Sequence, residues 1–250
     1  MDEYAIEAKA FRRALLSQRA ARTKGGIYHL TQVDLAYNSN RIEGSQLSED
    51  QTRSLYETQS VEGLAPARDI IETTNSFRAF DWILDQPPGP IDVEGIKTLH
   101  AILKAGTPES LDAAFNVGDW KLARNMVGGQ ETTPPDLVEE QIQQLLKETP
   151  HEMSFQDIAR FHHRFESIHP FTDGNGRVGR LLMFKQALDA GIMPFVVPDS
   201  HKHFYYRGLK NYPEEPGFLE DTLRSAQDTY FRKYKDFVPA FLFQEQYEDK

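Results

Sequence analysis

The sequence predicts an all-α fold with one small β-hairpin, and three observations predict it. Apolar residues recur at three- and four-residue spacing over most of the 250 positions. Helix start and stop signals punctuate those runs: Ser48, Asp92, Pro135 and Ser154 at starts, Gly25-Gly26, Gly44 and Gly191 at stops. One stretch, "FNVGDWKLARNMVGGQETTPP" (Phe115 to Pro135), combines glycine pairs, β-formers and prolines, as a hairpin with an irregular exit does.

In chain order, a first helix is expected from about Glu3 to Arg22, stopping at Gly25-Gly26, and a second from Thr31 to Glu43. "SEDQ" at Ser48 reads as a capping box for a helix through Val61. Another helix runs from Ala67 to Leu84. The Pro/Gly cluster Pro87 to Pro90 follows it and is the best boundary in the chain. Asp92 caps a helix through Ala105. Helices resume after the hairpin at Pro135, a residue suited to a first turn, and run to Glu148. Ser154 and Asp157 open a helix whose Phe155, Ile158, Phe161, Phe165 and Ile168 form one stripe. The next helix spans Gly176 to Ala190, and the tail from Gly217 to Gln244 is also expected to be helical.

Composition limits the function. Hydrophobic residues make up 39% and charged residues 26%, which suits a packed core. The net charge of −10 argues against broad binding to nucleic acid or to an anionic membrane. Without cysteine there is neither a disulfide framework nor thiolate chemistry. The opening "MDEYAIEAKAFRRALL" lacks the basic start and apolar centre of a signal peptide. No apolar run approaches the ~20 residues that span a bilayer. A soluble, cytoplasmic protein is expected.

The chemistry concentrates in "IHPFTDGNGRVGRLLMF", Ile168 to Phe184. Gly174, Gly176 and Gly179 have the G-x-G-x-x-G spacing of a dinucleotide loop, and Asp199 stands twenty residues on. That reading requires a buried strand before the first glycine, and a helix stripe ending at His169-Pro170 stands there instead. No G-x-x-x-x-G-K-[ST] occurs, which removes the P-loop. What remains is helix, loop, helix. Gly174, Asn175 and Gly176 begin the second helix, whose free amides and dipole make an anion site. Arg177 and Arg180, three apart, suit two phosphates of one chain. Asp173 beside phosphates calls for a divalent cation, Mg²⁺ by preference. His169 can accept a proton from a hydroxyl. Together these parts point to nucleotidyl or phosphoryl transfer.

"HPFTDGNGRVGR", His169 to Arg180, resembles the signature loop of the Fic (filamentation induced by cAMP) family, HPFx[DE]GNGRxxR, at every defined position. The resemblance covers about Asp92 to Tyr212. It implies a Fic-fold helical bundle with the hairpin as a flap near the active site, in three parts. These are an N-terminal helical region (1–88), a catalytic core (89–212) and a C-terminal extension (213–250). It implies transfer of AMP from ATP to a Ser, Thr or Tyr hydroxyl of a target protein, or of the chain itself. His169 is then the base and Asp173 the ligand of Mg²⁺ or Mn²⁺. Gly174, Asn175, Gly176 and Arg177 hold the α- and β-phosphates, Arg180 the γ-phosphate, and Phe171 is a packing anchor. "SNRIEG", Ser39 to Gly44, is similar to the family's inhibitory motif. Glu43 would take Arg180 from the γ-phosphate, with Ser39 tethering its helix to the loop by hydrogen bonds. Relatives with this glutamate also remove AMP, so deAMPylation is a second expected activity. The alternatives are transfer of UMP, phosphocholine or phosphate, or an ATP-sensing module without turnover.

The weaker candidates are few. His162 and His163 face different sides of a helix and lack accompanying cysteines, so zinc is not expected there. Tyr205 or Tyr206 lines an adenine pocket or packs in the core. Tyr230, Phe231, Tyr234 and Phe237 pack on the core or on the partner of a homodimer.

Overall fold

A computed structural model describes residues 3–244. Its helices are α1 (Glu3–Ala20), α2 (Ile27–Ile42), α3 (Glu49–Thr58), α4 (Ala67–Asp85), α5 (Val93–Lys104) and α6 (Pro135–Glu148). They continue with α7 (Phe155–Ile168), α8 (Asn175–Asp189), α9 (Lys202–Asn211), α10 (Gly217–Tyr234) and α11 (Phe241–Gln244). The hairpin shrinks to β1 (Met126–Val127) and β2 (Gln130–Glu131), antiparallel, with Met126 opposite Glu131. The rest of 115–135 is turns and short 3₁₀ structure. The all-α class with a minimal hairpin therefore holds.

Capping behaves as the residues dictate. Ser48 and Gln51 form a complete capping box, as do Ser154 and Asp157, and Asp92 accepts the Gly95 amide. Helix α2 begins four residues earlier than its apolar pattern indicates. Gly26 supplies the extended N-cap, and the Gln18 side chain accepts the Tyr28 amide at 3.4 Å. The tail is two helices, because Pro239 has no amide hydrogen to continue a helix.

One apolar cluster runs from Ala8 on α1 to Leu242 on α11, with Phe80, Phe165, Phe171 and Phe184 at its centre. Tyr230 and Tyr234 are buried in it, Tyr230 beside Phe11 and Phe184, while Phe237 stays exposed. Helix α2 is buried on almost every side, polar residues included. Each polar group therefore needs a partner. Thr31 meets the Tyr230 hydroxyl at 2.7 Å, Gln32 donates to Tyr28 and Asp81, and Asn40 donates to Ser76 at 3.0 Å. These pairings fix the rotation and register of α2, and hence the position of Glu43 at its C-cap.

Candidate active site

Helix α7 ends because His169 adopts left-handed backbone, φ 50° and ψ 63°, unusual for a residue with a Cβ. Asn175 closes the loop that follows. Its Oδ1 accepts the Phe171 amide and its Nδ2 donates to the Phe171 carbonyl, both at 2.8 Å. That side chain is committed to the loop, so Asn175 can offer a ligand its main-chain amide alone. The Phe171 ring is fully buried and stacks on His100 at 3.8 Å between centroids. His100 Nδ1 accepts the Gly118 amide at 3.0 Å, which leaves Nε2 protonated to donate to the Asp173 carbonyl at 3.0 Å. Burial holds its imidazole down at about 4, so it pins the loop without charge. Gly174 then starts α8 with no side-chain cap. A helix start without a side-chain cap keeps first-turn amides available to an anion.

A carboxylate lies beside this first turn. Glu43 Oε1 accepts from Arg180 Nη2 at 2.6 Å and rests against Gly176, where a Cβ would collide with it and stand 2.9 Å from Arg180 Nη1. Ser39, one turn back on α2, accepts twice from Arg180: Nε to its hydroxyl at 2.9 Å and Nη2 to its carbonyl at 3.0 Å. Ser39 thus tethers α2 to α8 rather than to the loop. Arg180 is 5% exposed, and its Nη1 is buried with no hydrogen-bond partner. Burial alone would weaken its charge, but Glu43 more than restores it, and the guanidinium stays protonated. Gly179 is the packing point of α7 on α8: a Cβ would lie 2.7 Å from Glu166 Oε1 and 2.9 Å from His162 Cε1.

The two arginines diverge. Arg177 turns to α4, 2.8 Å from Glu72 and 3.3 Å from Asp173. Asp173 Oδ2 also takes Lys104 at 2.7 Å and Arg68 at 3.3 Å, while Lys104 binds Glu72 at 2.6 Å. With Glu109 this makes a network of three carboxylates and three cations, and Lys104 is fully buried in it. Burial raises the Asp173 carboxyl, but Arg177 and Lys104 overcome that and hold it at about 2. Asp173 is therefore always an anion at physiological pH, as a metal ligand must be. Among the described residues no group of three or more His, Cys, Asp or Glu side chains surrounds a metal position. A lone carboxylate suits Mg²⁺ when substrate phosphates supply the remaining ligands.

His169 is half-buried at the mouth of this loop. Burial, reinforced by the Lys121 charge, lowers its imidazole to about 4; the Glu166 carbonyl, Glu43 and Asp173 oppose this less strongly. A neutral ring can accept a proton at physiological pH. The other candidates separate. Tyr205 is buried and its hydroxyl meets His162 Nε2 at 2.6 Å, whereas Tyr206 is 42% exposed and donates to the Ile42 carbonyl at 3.3 Å. His163 stacks on Tyr212, away from His162. Asp199 lies against α2, its amide donating to Asn38 at 2.9 Å.

Sequence reasoning missed Glu72, Lys104, His100, Lys121 and Glu166. One signal was present: Ile96, His100 and Lys104 share the four-residue spacing of the buried face of α5, so a lysine falls where an apolar residue belongs.

The fold and site together define a helical protein that gathers His169, Asp173, Arg180 and an uncapped helix start at one helix–loop–helix junction. Residues 90–187 match the profile of the Fic/DOC family. The chain is 27% identical over 208 residues to a protein adenylyltransferase Fic from Nematostella vectensis, covering 77% of this chain and 46% of that protein. It is 29% identical over 184 residues to a protein adenylyltransferase Fic from Drosophila yakuba, covering 70% and 36%. The chain thus spans less than half the length of these two curated relatives. In fold it is similar to a Fic domain-containing signalling protein from Bacteroides thetaiotaomicron, with TM-score 0.67 and 21% identity, over 94% of this chain and 93% of that one. It is also similar to Fic-1 from C. elegans, with TM-score 0.67 and 22% identity, over 95% and 73%.

Proposed function

We propose that this chain is a protein adenylyltransferase held in check by Glu43. One observation carries the reading: the loop presents a neutral His169 beside an uncapped helix start, and Glu43 lies on that start with Arg180 in its grip. ATP would place its α- and β-phosphates on the first-turn amides of α8 and its γ-phosphate on Arg180. A Ser, Thr or Tyr hydroxyl of a target protein, or of the chain itself, then attacks the α-phosphorus. The new bond joins hydroxyl oxygen to phosphorus, the bond to the β-phosphate bridging oxygen breaks, and pyrophosphate leaves. His169 takes the hydroxyl proton. Asp173 would hold Mg²⁺ or Mn²⁺, which supplies charge neutralisation on the phosphates.

In this reading residues 1–88 are a regulatory N-terminal region, 89–212 the catalytic core and 213–250 a C-terminal extension; residues 1–2 and 245–250 lie outside the described residues. Glu43 also supports the reverse reaction: a carboxylate at the cradle is suited to orient water toward an AMP-modified side chain. The expected setting is the cytoplasm. With labelled ATP, wild-type protein should label itself or a target weakly, Glu43→Gly strongly, and Glu43→Gly/His169→Ala not at all. Labelling that persists without His169 would remove the assigned base. Competition from labelled UTP or a phosphocholine donor identifies the transferred group.

A further inference from the structure

Lys121 is a buried cation that the chemistry above leaves unused. It is 2% exposed, and among the described residues no carboxylate pairs with it. Its three ammonium hydrogens go to neutral oxygens instead: Thr132 Oγ1 at 2.6 Å, Asn125 Oδ1 at 2.8 Å and the Ile168 carbonyl at 3.4 Å. Burying an ammonium without a counter-ion is costly, and such sites are seldom there for stability alone.

The partners give the position meaning. Asn125 and Thr132 flank the β1–β2 hairpin, and the Thr132 amide closes it by donating to the Asn125 carbonyl at 3.2 Å. Ile168 immediately precedes His169. The Lys121 amide donates to the Pro170 carbonyl at 2.9 Å, just after His169. Asn125 adds a bond to the Phe171 carbonyl at 3.3 Å. Lys121 therefore grips His169 from both sides along the chain and holds the base of the hairpin in the same network.

We propose that Lys121 is a positioning residue that couples the hairpin to His169 and, through its charge, keeps the imidazole in the proton-accepting form. Besides burial, the groups that act most strongly on His169 are Lys121 beside the hairpin, the Glu166 carbonyl from α7, Glu43 after α2 and Asp173 from the loop. Of these, only Lys121 opposes protonation. Burial lowers the Lys121 ammonium itself to about 8, so it remains charged where His169 must work. The kinetic part of this inference rests on the proposed base role of His169; the electrostatic part does not.

The test is NMR titration of the His169 ring in the wild-type 250-residue chain, Lys121→Met and Lys121→Arg, with Lys121→Gln added in case the methionine variant fails to fold. The neutral variants should titrate about one unit higher than wild type, and Lys121→Arg should stay near it. In the Glu43→Gly background the acidic limb of the labelling rate should move up by the same amount in the neutral variants. A purely structural lysine would change melting temperature but leave the titration in place, and an unmoved titration overturns the proposal. If the titration moves while no variant transfers a nucleotide, the coupling stands and the proposed activity falls.

Discussion

Replacing Glu43 with glycine removes one carboxylate from the phosphate cradle and frees one guanidinium. In wild type, a γ-phosphate reaching Arg180 must first break the 2.6 Å bond from Nη2 to Glu43. A hydrogen bond between charged groups contributes about 1.5–3 kcal/mol. The Glu43 side chain keeps 30% of its surface in solvent, so screening places the pair toward the lower end of that range. At about 1.4 kcal/mol per tenfold, nucleotide affinity should rise roughly 10- to 100-fold. Arg180 should stay in place, because both Ser39 bonds survive the change. Isothermal titration with a non-hydrolysable ATP analogue measures the affinity, and labelled ATP reports the rate. Equal affinity and equal labelling in the two proteins would refute the competition argument. Glu43→Gln separates charge from shape: it keeps the reach to Arg180 without the anion and should recover most of the gain.

Gly176→Ala should weaken the Glu43–Arg180 pair, because the new methyl takes the place of Glu43 Oε1. The same methyl obstructs the cradle, so nucleotide binding should not recover as it does in Glu43→Gly; tighter binding would contradict the placement of the phosphates. Gly208→Ala puts a methyl 2.7 Å from Leu219 Cα, on backbone that cannot swing aside, and should cost about 1–3 kcal/mol in a thermal melt with the site intact. Stability should fall on acidification from pH 6.5. His100 and His169 titrate at about 4 when folded, so between 6.5 and 4 the unfolded chain binds more protons, and each contributes a loss of about 3 kcal/mol. Asp173 extends the loss as pH falls from 3.8 toward 2, since its folded carboxyl is the stronger acid. A melting temperature that stays flat from pH 7 to 4.5 would contradict the neutral, buried histidines.

The legibility of this chain follows sequence distance. The loop from His169 to Arg180 could be read because its proton acceptor, carboxylate, glycines and arginines are contiguous, and a helix start needs no distant partner to bind an anion. The Glu43–Arg180 pair spans 137 positions and rested on the resemblance of "SNRIEG" to a known motif. The network of Glu72, Lys104 and Asp173 had no such aid, since three separate elements must fold before its charges meet. Periodicity found most of the helices but misplaced the start of α2, whose buried polar residues hide its apolar face. It also overran the break at Pro239. The divergence of Arg177 and Arg180 was equally invisible. Their spacing permits a shared ligand, and only the folded positions of Glu72 and Glu43 draw them apart.

The central claim is that this loop transfers AMP to protein hydroxyls once Glu43 no longer blocks it. Mass spectrometry of a lysate incubated with ATP and the Glu43→Gly variant tests it most directly. The account predicts AMP adducts on Ser, Thr or Tyr side chains, scarce with wild type and missing with Glu43→Gly/His169→Ala. No adduct with active, ATP-binding Glu43→Gly protein, or adducts indifferent to His169, would contradict it.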